Sequence, residues 1–269
     1  MNILDTIIAH KRTEVAARKQ LVSVAELERG KFFGSETLSL TQFLLDETKT
    51  GIIAEFKRKS PSKGIINATA AVAEVTTAYA KHGASGISVL TDEVFFGGNL
   101  DDLLEATINE VPLLRKDFMI DEYQLIEARA FGAEVILLIA ACLTPFQVKQ
   151  MATTAQNLGL EVLLEIHNEQ ELDHICDQVN LVGVNNRNLK TFEVGIDTSL
   201  HLINKIPKHK PAIAESGISD VDTIVTLRKA GFKGFLIGEN FMKQARPSVA
   251  FADFVHGLNN ALQKDEEHK

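Results

Sequence analysis

From residue 50 onward the chain repeats one unit: a segment of helical period, often a glycine, a short β-branched apolar run, and a polar loop. The apolar runs are Ile52–Lys57, Gly86–Leu90, Pro112–Lys116, Val135–Ala140, Glu161–Ile166, Leu181–Asn185, Ala212–Glu215 and Phe235–Ile237. Helical segments lie between them at Ala70–His82, Leu100–Ile108, Glu122–Phe131, Pro145–Leu158, Asn168–Cys176, Ser199–Ile206 and Val221–Ala230. Several close at glycine, as in His82-Gly83 and Ala230-Gly231, where a left-handed cap residue costs least. Strands that alternate with helices pair in parallel, and a run such as Val135-Ile-Leu-Leu-Ile is apolar on both faces. Eight such units predict an α/β fold, the closed (β/α)8 TIM barrel, rather than an open doubly wound sheet with its glycine-rich dinucleotide turn. No G-x-G-x-x-G is present.

The 269 residues read as one barrel domain. Residues 1–50 form an N-terminal helical extension, with Leu40–Glu47 closing the barrel floor; about 51–262 form the barrel, and 263–269 a polar tail expected to fray. This leaves no room for a second catalytic domain. The first helix is amphipathic and basic around Lys11, Arg12, Arg18 and Lys19, but Asp5, Glu14 and Glu26 argue against a transit peptide.

Lys and Arg total 28 against 36 Asp and Glu, a net charge of −8, so nucleic acid and acidic membrane surfaces are not expected partners. In such a chain a local cluster of cations points to an anion. Cys142 and Cys176 form no metal or disulfide pattern and read as buried free thiols of a cytoplasmic protein. The run Val135–Leu143 is far short of the roughly 20 residues a membrane span needs. No Walker loop, H-E-x-x-H, EF-hand or G-x-S-x-G occurs, so metal hydrolysis, nucleotide hydrolysis and serine-type acyl transfer lack their signatures.

Barrel enzymes of this type build their sites at the C-terminal ends of the strands, where inward-pointing residues alternate. Glu55 and Lys57 share one face of the first strand, Lys116 follows Leu114, and Glu165 follows Leu163. Asn185 and Arg187 end the sixth strand, and Glu215 ends the seventh. One charge at a strand end is an ordinary solvated residue. Charges at the same depth on five strands are not, because each desolvated charge costs several kcal/mol unless pairing or function offsets it. For Glu215 a structural role weighs equally. Two lysines close together are expected to lower each other's pKa, which would suit Lys57 or Lys116 as an acid, with Glu165 as the base.

Ser216-Gly217 and Gly238-Glu239 follow the last two strands, whose loops frequently hold phosphate, and the loop Lys59–Gly64 adds Ser60 and cations beside them. Phe96, Phe118 and Leu189 fall in loops after the second, third and sixth strands and suggest a slot for an aromatic ring. The eight histidines show no metal spacing and read as surface or core residues.

The run Ile52-Ile-Ala-Glu-Phe-Lys-Arg-Lys-Ser-Pro-Ser-Lys-Gly-Ile-Ile66 resembles the indole-3-glycerol-phosphate synthase family of tryptophan biosynthesis, through its E-x-K-x-x-S-P-S core. Leu113–Phe118, Leu163–Ile166, Val182–Leu189, Ala214–Ile218 and Leu236–Gly238 are similar to the family's other blocks, in the same order. The resemblance implies a lyase that closes 1-(2-carboxyphenylamino)-1-deoxyribulose 5-phosphate to indole-3-glycerol phosphate, losing carbon dioxide and water without a cofactor. It implies Lys116 as general acid, Lys57 on the substrate carboxylate, and Glu165 as base. Glu55, Asn185 and Arg187 would orient these groups, and Glu215 would support them. Ser60, Ser216, Gly217, Gly238 and Glu239 match phosphate-contacting positions. If only the amide of Glu239 serves phosphate, its carboxylate is expected to point away. As partners the resemblance implies the small phosphorylated substrate and, for a monomer, other tryptophan-pathway enzymes.

Two other readings stay open on the residues alone. One is another phosphate-binding barrel enzyme, an isomerase with a Cys and Asp pair or an epimerase with a metal held by His and Asp. The other is a non-catalytic barrel that only binds a phosphorylated ligand. Retention of both lysines and Glu165 speaks against the latter.

Overall fold

A computed structural model of the protein describes residues 3–188 and 193–267, and in it eight parallel strands close into a barrel. The strands are β1 (Ile52–Phe56), β2 (Gly86–Leu90), β3 (Leu113–Lys116), β4 (Val135–Ile139), β5 (Glu161–Ile166), β6 (Leu181–Asn185), β7 (Ala212–Glu215) and β8 (Gly234–Ile237). They follow one another round the barrel in chain order, and β8 closes on β1 with Phe235 opposite Ile52 and Leu236 opposite Ile53. The strands match those expected, with one end moved by a residue in β1, β3, β4 and β8.

Two-residue alternation sorts each strand into two apolar layers. Ile52, Ala54 and Phe56 of β1 face outward and pack with Val72, Val75 and Tyr79 of the helix Val72–Lys81. Ile53, Leu114, Leu137, Leu163, Leu181, Ile213 and Leu236 face inward and fill the barrel. Below them, the N-terminal extension supplies the floor. It comprises α1 (Ile3–Leu21), α2 (Val24–Leu27) and α3 (Leu40–Leu45), and α3 inserts Leu40 and Leu44 into the inner cluster. Leu40 reaches in over Gly86, where a Cβ would stand 2.7 Å from its Cδ1.

Three local expectations change. The segment Asn168–Cys176 is a 3₁₀ helix, Glu169–His174, capped by Asn168; its apolar face is too short to support a regular helix. Part of the loop Lys59–Gly64 is ordered as a small antiparallel hairpin, with Lys59 opposite Ile65 and Ser60 opposite Gly64. The last helix, Pro247–Glu267, runs into the stretch expected as a tail. Cys142 and Cys176 are unpaired and half-buried.

While α3 closes the floor, α1 lies at the opposite end, over the C-terminal mouth. Lys11 on α1 is fully buried there, with Nζ 2.9 Å from Asp92 Oδ2 and 3.0 Å from Asp117 Oδ1. These aspartates follow β2 and β3 and are themselves without exposed side-chain surface. Burial pulls the Lys11 ammonium down, but Asp117 and Asp92 outweigh it and hold the lysine above its usual range. A second chain of charges backs this one: Arg115 bridges Asp117 at 3.0 Å and Glu127 at 2.9 Å, and Arg18 of α1 meets Glu127 at 2.5 Å.

Removing the cation would leave two buried carboxylates without it. Lys11→Ala is expected to cost about 3–5 kcal/mol of unfolding free energy, the usual penalty for breaking a buried pair. Urea denaturation followed by circular dichroism checks this, and a loss below about 1 kcal/mol would place the pair among weak surface bridges.

Candidate active site

The inner face of the barrel changes character at its C-terminal end. Glu55 continues the parity of Ile53 on β1, Lys116 that of Leu114 on β3, Glu165 that of Leu163 on β5, and Glu215 that of Ile213 on β7. With Lys57, Asn185, Arg187, Ser60, Phe96, Phe118, Ser216 and Glu239 they line one cleft of about 1060 Å³, counting the space open to solvent. Gly217 and Gly238 line the adjoining recess together with Lys63, Ser216 and Glu239. Leu189 lies outside the described residues. Ile3, Leu4 and Ile7 of α1 add an apolar wall that the strand pattern alone did not indicate.

Lys116 is the centre of the charge cluster. Its Nζ stands 3.4 Å from Glu165 Oε2 and 3.4 Å from Glu215 Oε2. Lys57 Nζ pairs with Glu55 Oε1 at 2.7 Å. The Asn185 amide donates to Glu165 Oε1 at 3.2 Å, and is itself oriented by the Arg187 backbone N–H, which donates to Asn185 Oδ1 at 2.9 Å. Two glycines make room for carboxylates. A Cβ on Gly238 would meet Glu55 Oε1 at 2.6 Å, and one on Gly183 would meet Glu215 Oε1 at 2.1 Å.

His167 enters the cluster as well. It is the first residue beyond β5 and keeps the parity of Glu165, with Nε2 3.1 Å from Glu165 Oε1 and Nδ1 3.3 Å from Glu171 Oε2. Metal spacing alone gives the histidines no role beyond surface or core residues. The missed signal was the continuing two-residue alternation Leu163, Glu165, His167.

Electrostatics here differ from the expectation that the two lysines depress each other. Burial does pull Lys116 down, but Glu215, Glu165 and Glu55 outweigh it and hold the ammonium above the usual lysine range. Carboxylates from three other strands surround this amine at a distance the sequence does not reveal. Glu165 is raised by burial but held well below the carboxylate range by Lys116, His167 and Asn185. Glu55 is likewise held low, Lys57 and then Lys116 outweighing burial. Glu215 behaves oppositely: burial raises it, Lys116 opposes, and the neighbouring Glu165 and Glu55 keep it up at about 8. The pairing explains the difference. Glu55 has Lys57, and Glu165 has His167 and Asn185 in addition to the Lys116 it shares with Glu215, which leaves Glu215 as the carboxyl with the fewest partners for its charge.

At the rim, Ser216 and Gly217 both adopt left-handed backbone, φ 65° and 75°. For a serine this conformation is strained by about 1–3 kcal/mol and is found at ligand-holding turns. The short helix Glu239–Met242 starts directly after Gly238, so its first amides have no partner within the helix. The Glu239 carboxylate does not turn away as expected; it sits 3.6 Å from Lys63 Nζ and 3.8 Å from Arg187 Nη2. Phe96 and Phe118 stand with ring centroids 6.0 Å apart at one side of the cleft. Among the described residues no group of three or more His, Cys, Asp and Glu side chains is arranged to hold a metal.

A parallel barrel whose mouth holds part-buried lysines and buried carboxylates beside a glycine-lined recess has the arrangement of an enzyme site. A family profile described as indole-3-glycerol phosphate synthase matches residues 4–254. The indole-3-glycerol phosphate synthase of Bacteroides thetaiotaomicron is 45% identical over 258 residues, covering 96% of this chain and 99% of the relative. That of Salinibacter ruber is 46% identical over 256 residues, covering 94% of each. The chain belongs to the indole-3-glycerol phosphate synthase family, carboxy-lyases of tryptophan biosynthesis. Among solved structures, a tryptophan synthase α-subunit from Pyrococcus furiosus superposes with a TM-score of 0.61 at 16% identity, covering 79% of this chain and 99% of its own. That likeness concerns the barrel fold alone.

The protonated state of Glu215 is measurable. Its carboxyl is raised from 4.5 to about 8, so between these values the folded chain holds a proton that the unfolded chain releases. This group's contribution to stability therefore falls as pH rises through that window. Infrared difference spectra are expected to show a protonated-carboxyl band near neutral pH that disappears above about pH 8 and is missing in Glu215→Gln. Stability of Glu215→Gln relative to the unaltered chain is expected to increase over the same window.

Proposed function

We propose that the cleft closes 1-(2-carboxyphenylamino)-1-deoxyribulose 5-phosphate to indole-3-glycerol phosphate, with Lys116 as general acid and Glu165 as general base. The observation that carries this reading is Lys116, with 15% of its side chain exposed and lying 3.4 Å from both Glu165 and Glu215 at the mouth of the barrel. The ring carbon that bears the carboxylate attacks the ketone carbon, and the developing alkoxide takes a proton from Lys116. A lysine held strongly charged can still do this. An alkoxide is a base on the scale of hydroxide, whose conjugate acid has a pKa of about 15.7, so the transfer runs downhill.

Loss of the carboxylate as carbon dioxide restores the aromatic ring. Lys57, freed when the carboxylate leaves, gives the hydroxyl the proton with which it departs as water, and Glu165 removes the methylene proton to complete the pyrrole. Lys57, which is turned toward the cleft by Glu55, is suited to the substrate carboxylate. Asn185 orients Glu165, while Glu55 and Arg187 direct the lysine and the ribulose hydroxyls. Phe96 and Phe118 supply faces for the anthranilate ring.

Phosphate is assigned to Ser60, Ser216, Gly217, Gly238 and the amide of Glu239, with Lys63 and Arg187 as the cations beside it. On this reading the Glu239 carboxylate yields its place between those cations when phosphate arrives. Cys142, just beyond β4, does not supply the Cys of an isomerase pair: burial, then Glu165 and Glu171, push its thiol up to about 12. No described helix is long and apolar enough to cross a membrane. The same reading takes the chain as a cytoplasmic monomer that meets other tryptophan-pathway enzymes, in keeping with its two unpaired cysteines.

Mixing the protein with the ribulose substrate is expected to generate indole absorbance and fluorescence. Lys116→Ala is expected to lower kcat about 10²–10⁴-fold, the usual worth of a positioned acid, with KM changed far less. A loss confined to KM would make Lys116 a binding residue. Ligand binding without any indole from the unaltered chain would favour the non-catalytic barrel.

A further inference from the structure

Three carboxylates share one amine at the barrel mouth, and proton transfer requires that a particular one of them be ionised. Glu55 has its own partner in Lys57, so the contest lies between Glu165 and Glu215, each 3.4 Å from Lys116. Both are almost completely buried, with 4% and 2% of their side-chain surface exposed. Lys116 alone does not choose between them. The asymmetry comes from β5: Glu165 has a second cation 3.1 Å away in His167, and Glu215 has none among the described ion pairs.

His167 is held in a charged state by its surroundings. Its side chain is 9% exposed and lies between two carboxylates, with Nε2 toward Glu165 and Nδ1 toward Glu171. Glu171 is itself fixed, its Oε2 accepting the His167 backbone N–H at 2.7 Å and its Oε1 the Asn168 amide at 2.9 Å. Burial lowers the imidazole, but Glu165 and Glu171 outweigh it and push it up to about 10. The other groups in the neighbourhood do not take over this role. Asn185 is neutral, Cys142 keeps its proton, and Lys116 serves both carboxylates at equal distance.

We propose that His167, braced by Glu171, is a positioning residue whose imidazolium assigns the cluster's one shared proton to Glu215, so that Glu165 stays ionised as the base. This rests on the proposed role of Glu165. Nothing is consumed in the assignment: His167 keeps both ring protons through the cycle, and the proton concerned moves only between the Glu215 and Glu165 carboxyl oxygens. Two interacting carboxyls titrate as a pair, and a nearby cation shifts the balance between them by about 1–3 pKa units, a factor of ten to a thousand in which one holds the proton.

The test is His167→Gln, with Glu171→Gln as a milder second variant in case the first is unstable. Near neutral pH, kcat of His167→Gln is expected to fall several-fold with KM little changed, because Glu165, left with Lys116 and the Asn185 amide, now shares the proton with Glu215. Activity is expected to return as pH rises through about 8, where the pair loses that proton. Carboxyl ¹³C NMR is expected to show the protonated carboxyl at Glu215 in the unaltered chain and distributed between Glu215 and Glu165 in the variant. Glu171→Gln should move both readouts in the same direction by less. A loss of activity equal at all pH values, with the protonated carboxyl still at Glu215, would make His167 merely structural and overturn the proposal. Absence of indole formation by the unaltered chain would instead overturn the function on which it rests.

Discussion

A largely enclosed ammonium facing more carboxylates than it can neutralise governs the arrangement of the barrel mouth. Lys116 projects from β3 into the space where Glu55, Glu165 and Glu215 arrive from β1, β5 and β7. Each of these charges loses its water on folding, at several kcal/mol per ion, and packing alone does not compensate. The chain answers with pairs of fixed partners: Lys57 for Glu55, Asn185 and His167 for Glu165, and a retained proton for Glu215. Replacing these groups by well-packed apolar residues would often be neutral or stabilising, so the cluster is better explained by chemistry than by stability.

The same rule reaches the N-terminal extension. Lys11 of α1 is buried against Asp92 and Asp117, and Asp117 is the direct neighbour of Lys116 and Phe118 in the chain. Docking of α1 therefore fixes the end of β3 at the position where the proposed acid and one wall of the aromatic slot leave it. Ile3, Leu4 and Ile7 then cover the cleft with apolar surface, lowering the local dielectric in which the lysines and carboxylates act. The extension thus belongs to the site as much as to the scaffold.

Much of this was legible in the amino-acid order. Eight β-branched runs separated by helical segments specify a parallel barrel, and alternation along each strand places Glu55, Lys116, Glu165 and Glu215 on the inner face beyond Ile53, Leu114, Leu163 and Ile213. What alternation does not contain is distance between strands. Hence the sequence alone suggests two lysines that lower each other's pKa, whereas the carboxylates nearest to Lys116 come from residues 49 and 99 positions away and hold its charge. Lys11 was invisible for the same reason, since a lysine on an amphipathic helix ordinarily faces water. His167 was within reach, because the strand's own period extends to it, but reading histidines for metal spacing alone hid a residue paired with carboxylates.

The most direct test of the central claim, that the Lys116 cluster and the glycine-lined rim act on opposite ends of one substrate, is a crystal structure with indole-3-glycerol phosphate bound. The phosphate is expected at Ser216, Gly217, Gly238 and the Glu239 amide, with the indole between Phe96 and Phe118 and Lys116 Nζ facing the newly formed carbon–carbon bond. A product phosphate bound away from that rim, or a Lys116 that stays paired with its carboxylates and out of reach of the indole, would contradict it.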